Sequence, residues 1–171
     1  MSLIKDIKKL LEKELAEFDK VFKASLKTDV ALLNKVTQYI VKRKGKQMRP
    51  MFVLLTGRMF GELQASVYRA ASLVELLHTA TLVHDDVVDD AMERRGFFSI
   101  NAIWKNKISV LVGDFLLSRS LIISVKNKEF EVLRSVTEAV QCMSEGELLQ
   151  IEKSRKMNQD EAVYYDIIRQ K

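Results

Sequence analysis

The feature that most constrains the fold is an uninterrupted run with helical spacing from about Gln64 to Asp90. Its apolar residues recur every three or four positions and cover nearly the whole circumference in the middle, which is typical of a buried helix. At 1.5 Å per residue the run is roughly 40 Å long. Six Gly and one Pro occur in 171 residues, and no strand alternation is present. We therefore expect an all-α fold that forms a single domain over residues 1–171.

Four carboxylates lie at the end of this predicted helix, at Asp85, Asp86, Asp89 and Asp90. Side chains four residues apart share one helix face, so Asp85 pairs with Asp89 and Asp86 with Asp90. Like charges at this spacing destabilise a helix, and the macrodipole disfavours anions at its C-terminus. A bound cation would offset both effects. Mg²⁺ suits such a site because it binds through one or two carboxylates together with substrate phosphates.

Two arginines, Arg94 and Arg95, follow the acidic residues closely. A guanidinium group can make two parallel hydrogen bonds to phosphate oxygens, so the pair suits a phosphate-bearing substrate held by the metal. Taken alone, the same residues are more typical of a solvated acidic helix end that forms salt bridges with nearby arginines. The other segments of the chain therefore decide between a functional and a structural interpretation.

A basic loop is predicted within residues 41–50, which read VKRKGKQMRP. Gly45 favours the end of one helix, and Pro50 suits the first turn of the next. Lysines and arginines surround Gly45, and Arg49 directly precedes Pro50, so the loop brings positive charge to a helix N-terminus that itself attracts anions. Taken alone, this pattern more often indicates a solvated basic turn.

The remaining segments are also predicted to be helical, and one of them contains an acid. Asp114 lies in an apolar helix predicted at about 108–125, and a buried carboxylate there needs partners, either in a structural network or in support of a site. A loop is predicted at 96–101, with Ser99 or Asn101 as the cap of the next helix. The other predicted helices span about 2–27, 29–40, 50–60, 129–151 and 160–171, with a polar connection at 153–158.

Charge and cysteine content narrow the class of function. The net charge of +5 fits an anionic small molecule or a membrane surface, and no lysine-rich block or interleaved aromatic patch indicates nucleic-acid binding. Cys142 is the single cysteine, so no disulfide framework exists and a reducing, cytoplasmic location is expected. We expect no signal peptide, and no apolar run that approaches the roughly 20 residues of a membrane span.

Five segments in a fixed order resemble the trans-isoprenyl diphosphate synthases, or polyprenyl synthetases. Residues 45–50 are similar to that family's GKxxRP segment, and residues 75–89 are similar to its first aspartate-rich region, which ends in DDxxD. The RRG sequence at 94–96 follows as it does in the family. GDFL at 113–116 and GELLQ at 146–150 complete a match that covers the chain from about Val36 onward.

The resemblance implies an isoprenoid synthase-type helical bundle around a central cavity, and head-to-tail condensation of an allylic diphosphate with isopentenyl diphosphate. It also implies Mg²⁺ as the cofactor, a homodimer, and peripheral contact with membranes through the lipid product. The implied catalytic residues are Asp85, Asp86 and Asp89, which hold Mg²⁺, and Lys171 near the leaving diphosphate. The implied substrate-binding residues are Arg94 and Gln150 at the allylic site, and Lys46, Arg49, His78 and Arg95 for isopentenyl diphosphate.

The residue types match the chemistry that the resemblance implies. The difficult step is ionisation of a carbon–oxygen bond, and positive charge stabilises the departing diphosphate. The allylic cation then needs a chamber without water, which apolar helices flanking Asp85 would supply. The released diphosphate takes the final proton, so no dedicated protein base is required. His78 is alternatively a histidine of the core.

The residues one turn before Asp85 bear on product length. Ala80 and Thr81 are both small, whereas family members with short products often have an aromatic residue there as a floor. No residue is inserted within the DDxxD sequence at 85–89. We therefore predict a tunnel that continues past this turn and an all-trans product of medium or long chain, longer than farnesyl, which Phe at Ala80 would shorten.

The chain departs from the family pattern at two places. No second DDxxD occurs within residues 1–171, and the helical pattern still continues at Lys171. We therefore expect the N-terminal portion of a polyprenyl synthetase, truncated before its C-terminal helices and with little condensing activity alone. Phe98 stands where relatives usually have Pro, which affects the geometry of the loop after RRG.

Two other classes of protein fit parts of the pattern. His78, His84 and Asp85 are residue types of a His-Asp metal phosphohydrolase, but the chain contains only two histidines. The other is a non-catalytic subunit or interaction module of a heteromeric prenyl synthase, although such subunits tend to lose the aspartates that are intact here. An allylic diphosphate analogue with Mg²⁺ separates the classes, because a hydrolase would cleave it and an interaction module would not bind it.

Overall fold

The computed structural model describes residues 3–43, 45–94, 96–155 and 160–170. Within these ranges the chain forms eight α-helices and one short β-hairpin, so the all-α prediction is confirmed. It divides into two compact units, Met1–Glu129 and Phe130–Lys171. The helices are α1 (Leu3–Leu10), α2 (Glu12–Ser25), α3 (Ala31–Lys42), α4 (Met48–Met59), α5 (Ala65–Val88), α6 (Ile100–Lys126), α7 (Phe130–Arg155) and α8 (Glu161–Gln170).

Helix α5 is the long helix predicted at 64–90, and it ends at the acidic residues. Asp90 adopts a left-handed conformation with φ of 48°. The N–H of Ala91 donates to the carbonyl of Asp86 at 2.9 Å, and the N–H of Asp90 donates to the carbonyl of Val87 at 3.4 Å. This arrangement is a Schellman motif, which satisfies carbonyl groups that a helix end otherwise leaves unpaired. The backbone therefore stops the helix within the DDxxD sequence.

Helix α6 packs along α5 more extensively than any other pair of described helices. The side chain of Ser99 caps it by accepting a hydrogen bond from the N–H of Ala102 at 3.0 Å, as predicted. Lys105, with φ of 72° and ψ of 163°, interrupts the helix, so a short piece precedes the predicted apolar helix at 108–125. By length and composition alone, α6 could cross a membrane. The expectation that no apolar run approaches the length of a membrane span is therefore wrong for this helix. Core helices meet the same criterion, and Val112 and Leu116 of α6 are buried in the core.

Gly113 allows α6 to approach α5 closely. A Cβ atom at Gly113 would lie 2.1 Å from Nε2 of His84, a distance at which something must shift. That nitrogen also lies 3.3 Å from the carbonyl oxygen of Val110 and 3.5 Å from Oδ1 of Asp114. The prediction that Asp114 is buried is wrong, because its side chain is 60% exposed. Asp114 is turned about 100° around α6 from Gly113, so its side chain is largely exposed even though Oδ1 contacts His84.

The core of the first unit contains residues from α2, α4, α5 and α6. Phe18, Leu54, Leu76 and Leu116 are each almost completely buried. The guanidinium of Arg69 on α5 donates through both Nε and Nη2 to Oε1 of Glu129, which joins α5 to the segment after α6. These contacts hold α5 along most of its length, so the positions on its exposed face are fixed.

A β-hairpin that the sequence did not predict follows α5. Strand β1 (Glu93–Arg94) pairs antiparallel with β2 (Phe97–Phe98). In the second unit α7 and α8 pack together, and a Cβ atom at Gly146 would lie 2.8 Å from Cβ of Gln170. The predicted polar connection at 153–158 falls partly outside the described residues, since α7 ends at Arg155.

Candidate functional site

A cavity of about 860 Å³ lies in the first unit and joins segments that are distant in sequence. The basic loop at 45–49 forms one wall, and the residues at 97–100 form part of the rim. The α5 side chains in the lining recur every three or four positions, so they form a single face of the helix. They are Glu75, His78, Thr79, Leu82, Val83 and Asp86.

Four of the predicted site residues line this cavity: Lys46, Arg49, His78 and Asp86. Lys46 precedes α4, and Arg49 lies in its first turn, where helix N–H groups add a positive potential. Asp86 is only 4% exposed. A buried carboxylate is stable when positive charge compensates it, and the basic loop provides such charge in the same cavity. Asp86 and the basic loop therefore line the same cavity.

The other two carboxylates of DDxxD differ from Asp86 in their exposure and do not line the cavity. Asp85 and Asp89 are exposed, and neither belongs to the described lining of the cavity. Among the described residues, no group of three or more histidine, cysteine, aspartate or glutamate side chains forms a metal cage. Mg²⁺ usually keeps several waters and binds through one or two carboxylates and substrate phosphates. The metal assignment to Asp85, Asp86 and Asp89 remains a prediction.

The conformation of the basic loop is set by α2. Gln47 is left-handed, with φ of 55°, and its Nε2 donates to Oδ1 of Asp19 at 3.1 Å. Its carbonyl accepts a hydrogen bond from the N–H of Met51 at 3.1 Å. Sequence reasoning missed this pair, although a signal was present. Asp19 lies on the apolar stripe of α2, four residues after Leu15 and three before Phe22, where an acid is unexpected.

Charge and polarity in the cavity suit a small ligand with an anionic head and a hydrocarbon tail. Four basic side chains face three acidic ones, and aromatic and aliphatic side chains cover the remaining wall. The basic residues are Lys8, Arg43, Lys46 and Arg49, the acidic ones are Asp19, Glu75 and Asp86, and the apolar ones include Phe18, Phe22, Leu82, Val83 and Ile100.

The hairpin is tied to the end of α3 at the rim of the cavity. The hydroxyl of Tyr39 and Nη1 of Arg43 both donate to the carbonyl oxygen of Phe98, at 2.7 and 2.8 Å. The Arg43 guanidinium lies 3.4 Å from the centre of the Tyr39 ring and 4.4 Å from that of Phe97. Burial raises the pKa of Tyr39, and the Arg43 charge opposes that effect. The Tyr39 hydroxyl therefore remains protonated and able to donate at neutral pH.

Four predicted site residues are not placed relative to this cavity. Arg95 and Lys171 lie outside the described residues, and only the backbone of Arg94 is described, in β1. Gln150 is half-buried on α7, in the second unit. The roles implied for these residues remain predictions.

A helical bundle whose long central helix ends in DDxxD beside a basic cavity is the arrangement expected of isoprenoid diphosphate synthases. The chain belongs to the polyprenyl synthetase family, whose sequence model matches residues 30–171. The expected family and the isoprenoid synthase-type fold are thus confirmed.

Named relatives and solved structures agree with this assignment. The all-trans-nonaprenyl-diphosphate synthase (geranyl-diphosphate specific) of Rhodobacter capsulatus is 36% identical over 164 residues, which are 95% of this chain and 50% of that protein. A crystal structure of a decaprenyl diphosphate synthase from Rhodobacter capsulatus matches with a TM-score of 0.89 and 32% identity, over 98% of this chain and 52% of that one. A polyprenyl synthase from Caulobacter crescentus CB15, complexed with calcium and isoprenyl diphosphate, matches with a TM-score of 0.87 and 33% identity, over 96% of this chain and 50% of that one. The chain therefore spans about half the length of these relatives.

Proposed function

We propose that the whole protein is a prenyltransferase that condenses an allylic diphosphate with isopentenyl diphosphate to give an all-trans polyprenyl diphosphate. The observation that carries this proposal is the cavity in which Lys46, Arg49 and His78 meet the buried Asp86 at the acidic end of α5. Isopentenyl diphosphate has the anionic head and short hydrocarbon tail that this lining suits.

Each set of residues has a separate task in this proposal. Lys46, Arg49, His78 and Arg95 bind the diphosphate of isopentenyl diphosphate and hold its double bond within reach of the allylic carbon. Asp85, Asp86 and Asp89 hold Mg²⁺, which when bound supplies electrophilic stabilisation of the departing diphosphate. Arg94, Gln150 and Lys171 contact the allylic substrate. The released diphosphate accepts the proton lost from the new chain.

The polyprenyl synthetase family supports further parts of the proposal. We expect a cytoplasmic homodimer that contacts membranes through its lipid product. Several large apolar side chains of α6 are exposed in the single chain, which a second copy would cover; they include Leu111, Leu121, Ile122 and Val125. A non-catalytic subunit of a heteromeric synthase is less well supported, because the carboxylates that such subunits tend to lose are intact. A His-Asp hydrolase is also less well supported, because His84 contacts α6 rather than an acid of α5.

Condensation can be measured directly with labelled isopentenyl diphosphate, geranyl diphosphate and Mg²⁺. Residues 1–171 contain one DDxxD, so we expect the chain alone to incorporate little label. A chimera that joins these residues to the C-terminal half of the Rhodobacter capsulatus nonaprenyl synthase has the full length of that relative, and we expect it to form polyprenyl diphosphates. Robust turnover by the 171-residue chain would contradict the first expectation. Failure of the folded chain to bind isopentenyl diphosphate would contradict the proposed function.

Product length is predicted to depend on Thr81 more than on Ala80. Ala80 is 3% exposed and packs in the core, so Phe there would overpack it. Thr81 is half-buried and lies four residues before Asp85, on the same helix face. In the active chimera, Thr81→Phe should shift the product distribution toward shorter chains, whereas Thr81→Val keeps the volume and should not. Mass spectrometry of the extracted products measures this, and an identical distribution for the Phe variant would refute the prediction.

A further inference from the structure

The rim of the cavity contains an arginine to which neither the family motifs nor the roles above assign a task. We propose that Arg43 is a positioning residue: in contact with the rings of Tyr39 and Phe97, it fixes the hairpin of β1 and β2, which contains Arg94, relative to the basic loop. This inference rests on the proposed function, since the hairpin and loop are the segments that would bind diphosphate.

The contacts of Arg43 join the end of α3 to strand β2. On one side its guanidinium lies over the Tyr39 ring of its own helix, and on the other it lies over the Phe97 ring of β2. Its Nη1 and the Tyr39 hydroxyl share one acceptor, the carbonyl oxygen of Phe98. Trp104 supports the Tyr39 ring edge-on, with the ring centres 5.0 Å apart and an angle of 87° between the planes. The group is thus fixed by stacking and by hydrogen bonds.

Arg43 and its acceptor each lie close in sequence to one of the two basic segments. Arg43 is three residues before Lys46 in the basic loop, and its acceptor Phe98 lies in the strand that pairs with β1, which ends at Arg94. One side chain therefore limits the distance between the two basic segments. At the other end of the loop, the hydrogen bond from Gln47 to Asp19 fixes the loop against α2. The basic loop is thus anchored at two points, to the hairpin through Arg43 and to α2 through Gln47.

The contacts of Arg43 depend on the chemistry of its guanidinium group. A guanidinium group is planar and can stack on a ring while it donates from its edge, whereas an ammonium group cannot do both. Phe97 provides the second ring that the guanidinium contacts, and Phe98 provides the carbonyl acceptor. The paired strand and the stacked arginine thus belong to one structural unit, the rim cluster of Tyr39, Arg43, Phe97 and Phe98.

The test compares three variants of the purified 171-residue chain with a matched control. Arg43→Lys keeps the charge and loses the stack, Phe97→Leu removes a ring without changing charge, and Arg43→Met removes both charge and stack. Lys35→Met is the control, because Lys35 is an exposed cation on the same helix. Calorimetric titration with isopentenyl diphosphate gives the dissociation constant, and amide hydrogen exchange at residues 93–98 reports the order of the hairpin.

We expect Arg43→Lys and Phe97→Leu each to raise the dissociation constant roughly tenfold and to speed hairpin exchange, and Arg43→Met to do so at least as strongly. The control should stay within about twofold, because exposed charges are screened. Normal binding by Arg43→Lys and Phe97→Leu, or unchanged hairpin exchange, would overturn the inference. If the wild-type chain binds no isopentenyl diphosphate, the proposed function fails. The exchange data then still decide whether Arg43 orders the hairpin.

Discussion

Replacing Asp85 and Asp86 together with Asn is expected to reduce condensation by the chimera at least about 100-fold, the scale on which charge stabilisation of a transition state acts. Asn keeps nearly the same shape but removes the negative charge that Mg²⁺ requires. The two positions differ, since Asp86 is buried in the cavity lining and Asp85 is exposed on the last turn of α5. The double variant therefore removes one buried and one exposed carboxylate charge from the helix end, and the initial rate of label incorporation measures the effect.

Asp90→Asn is the matched control for this experiment. Asp90 is the next acid along the chain but lies outside DDxxD, and it is exposed in a left-handed conformation that Asn also tolerates. We expect this variant to keep its rate within about threefold, because its loss of charge is screened by solvent. Equal losses in the control and in the double variant would show that bulk charge near the helix end, and not metal binding, explains the effect.

The second large effect is expected at the basic loop. Replacing Lys46 and Arg49 with Gln removes two charged donors from the cavity lining. Since a hydrogen bond to a charged group contributes about 1.5–3 kcal/mol, the pair should weaken binding of isopentenyl diphosphate at least about 100-fold. Calorimetric titration of the 171-residue chain measures this loss. Mg²⁺-dependent binding of an allylic diphosphate analogue should change little, because a separate set of residues is proposed to hold it.

A control with the same change in net charge separates local from long-range effects. Lys35 and Lys107 are exposed and do not line the cavity. Replacing both with Gln lowers the net charge by the same amount, and we expect binding of isopentenyl diphosphate to stay within about twofold at physiological salt. If this control lost as much affinity as the loop variant, long-range attraction would replace direct contact as the explanation.

The sequence predicted the helices well because their signals are local. The run at 64–90 and the observed α5 agree closely, since apolar spacing and scarce Gly and Pro both act within one element. The meeting of the GKxxRP and DDxxD segments at one cavity was implied by the family resemblance. Nothing in the spacing of either segment alone showed that they are neighbours.

The differences arose where the structure depends on contacts between elements. Asp114 was expected to be buried because its helix is apolar, but which side of a helix is covered depends on the close approach at Gly113. The hairpin strands have two residues each, too few for an alternating pattern to be visible. The contact between Gln47 and Asp19 joins residues 28 positions apart. The only sequence signal for it was the presence of an acid on the apolar stripe of α2.

The central claim is that the acidic end of α5 binds a diphosphate through Mg²⁺. Titrating the purified chain with a thio analogue of geranyl diphosphate, which resists ionisation, tests this most directly when it is done with Mg²⁺ and again with EDTA. The account predicts saturable binding with Mg²⁺, loss of that binding with EDTA, and an intact analogue at the end. Binding that is equally strong without the metal, or release of free diphosphate from the analogue, would contradict it.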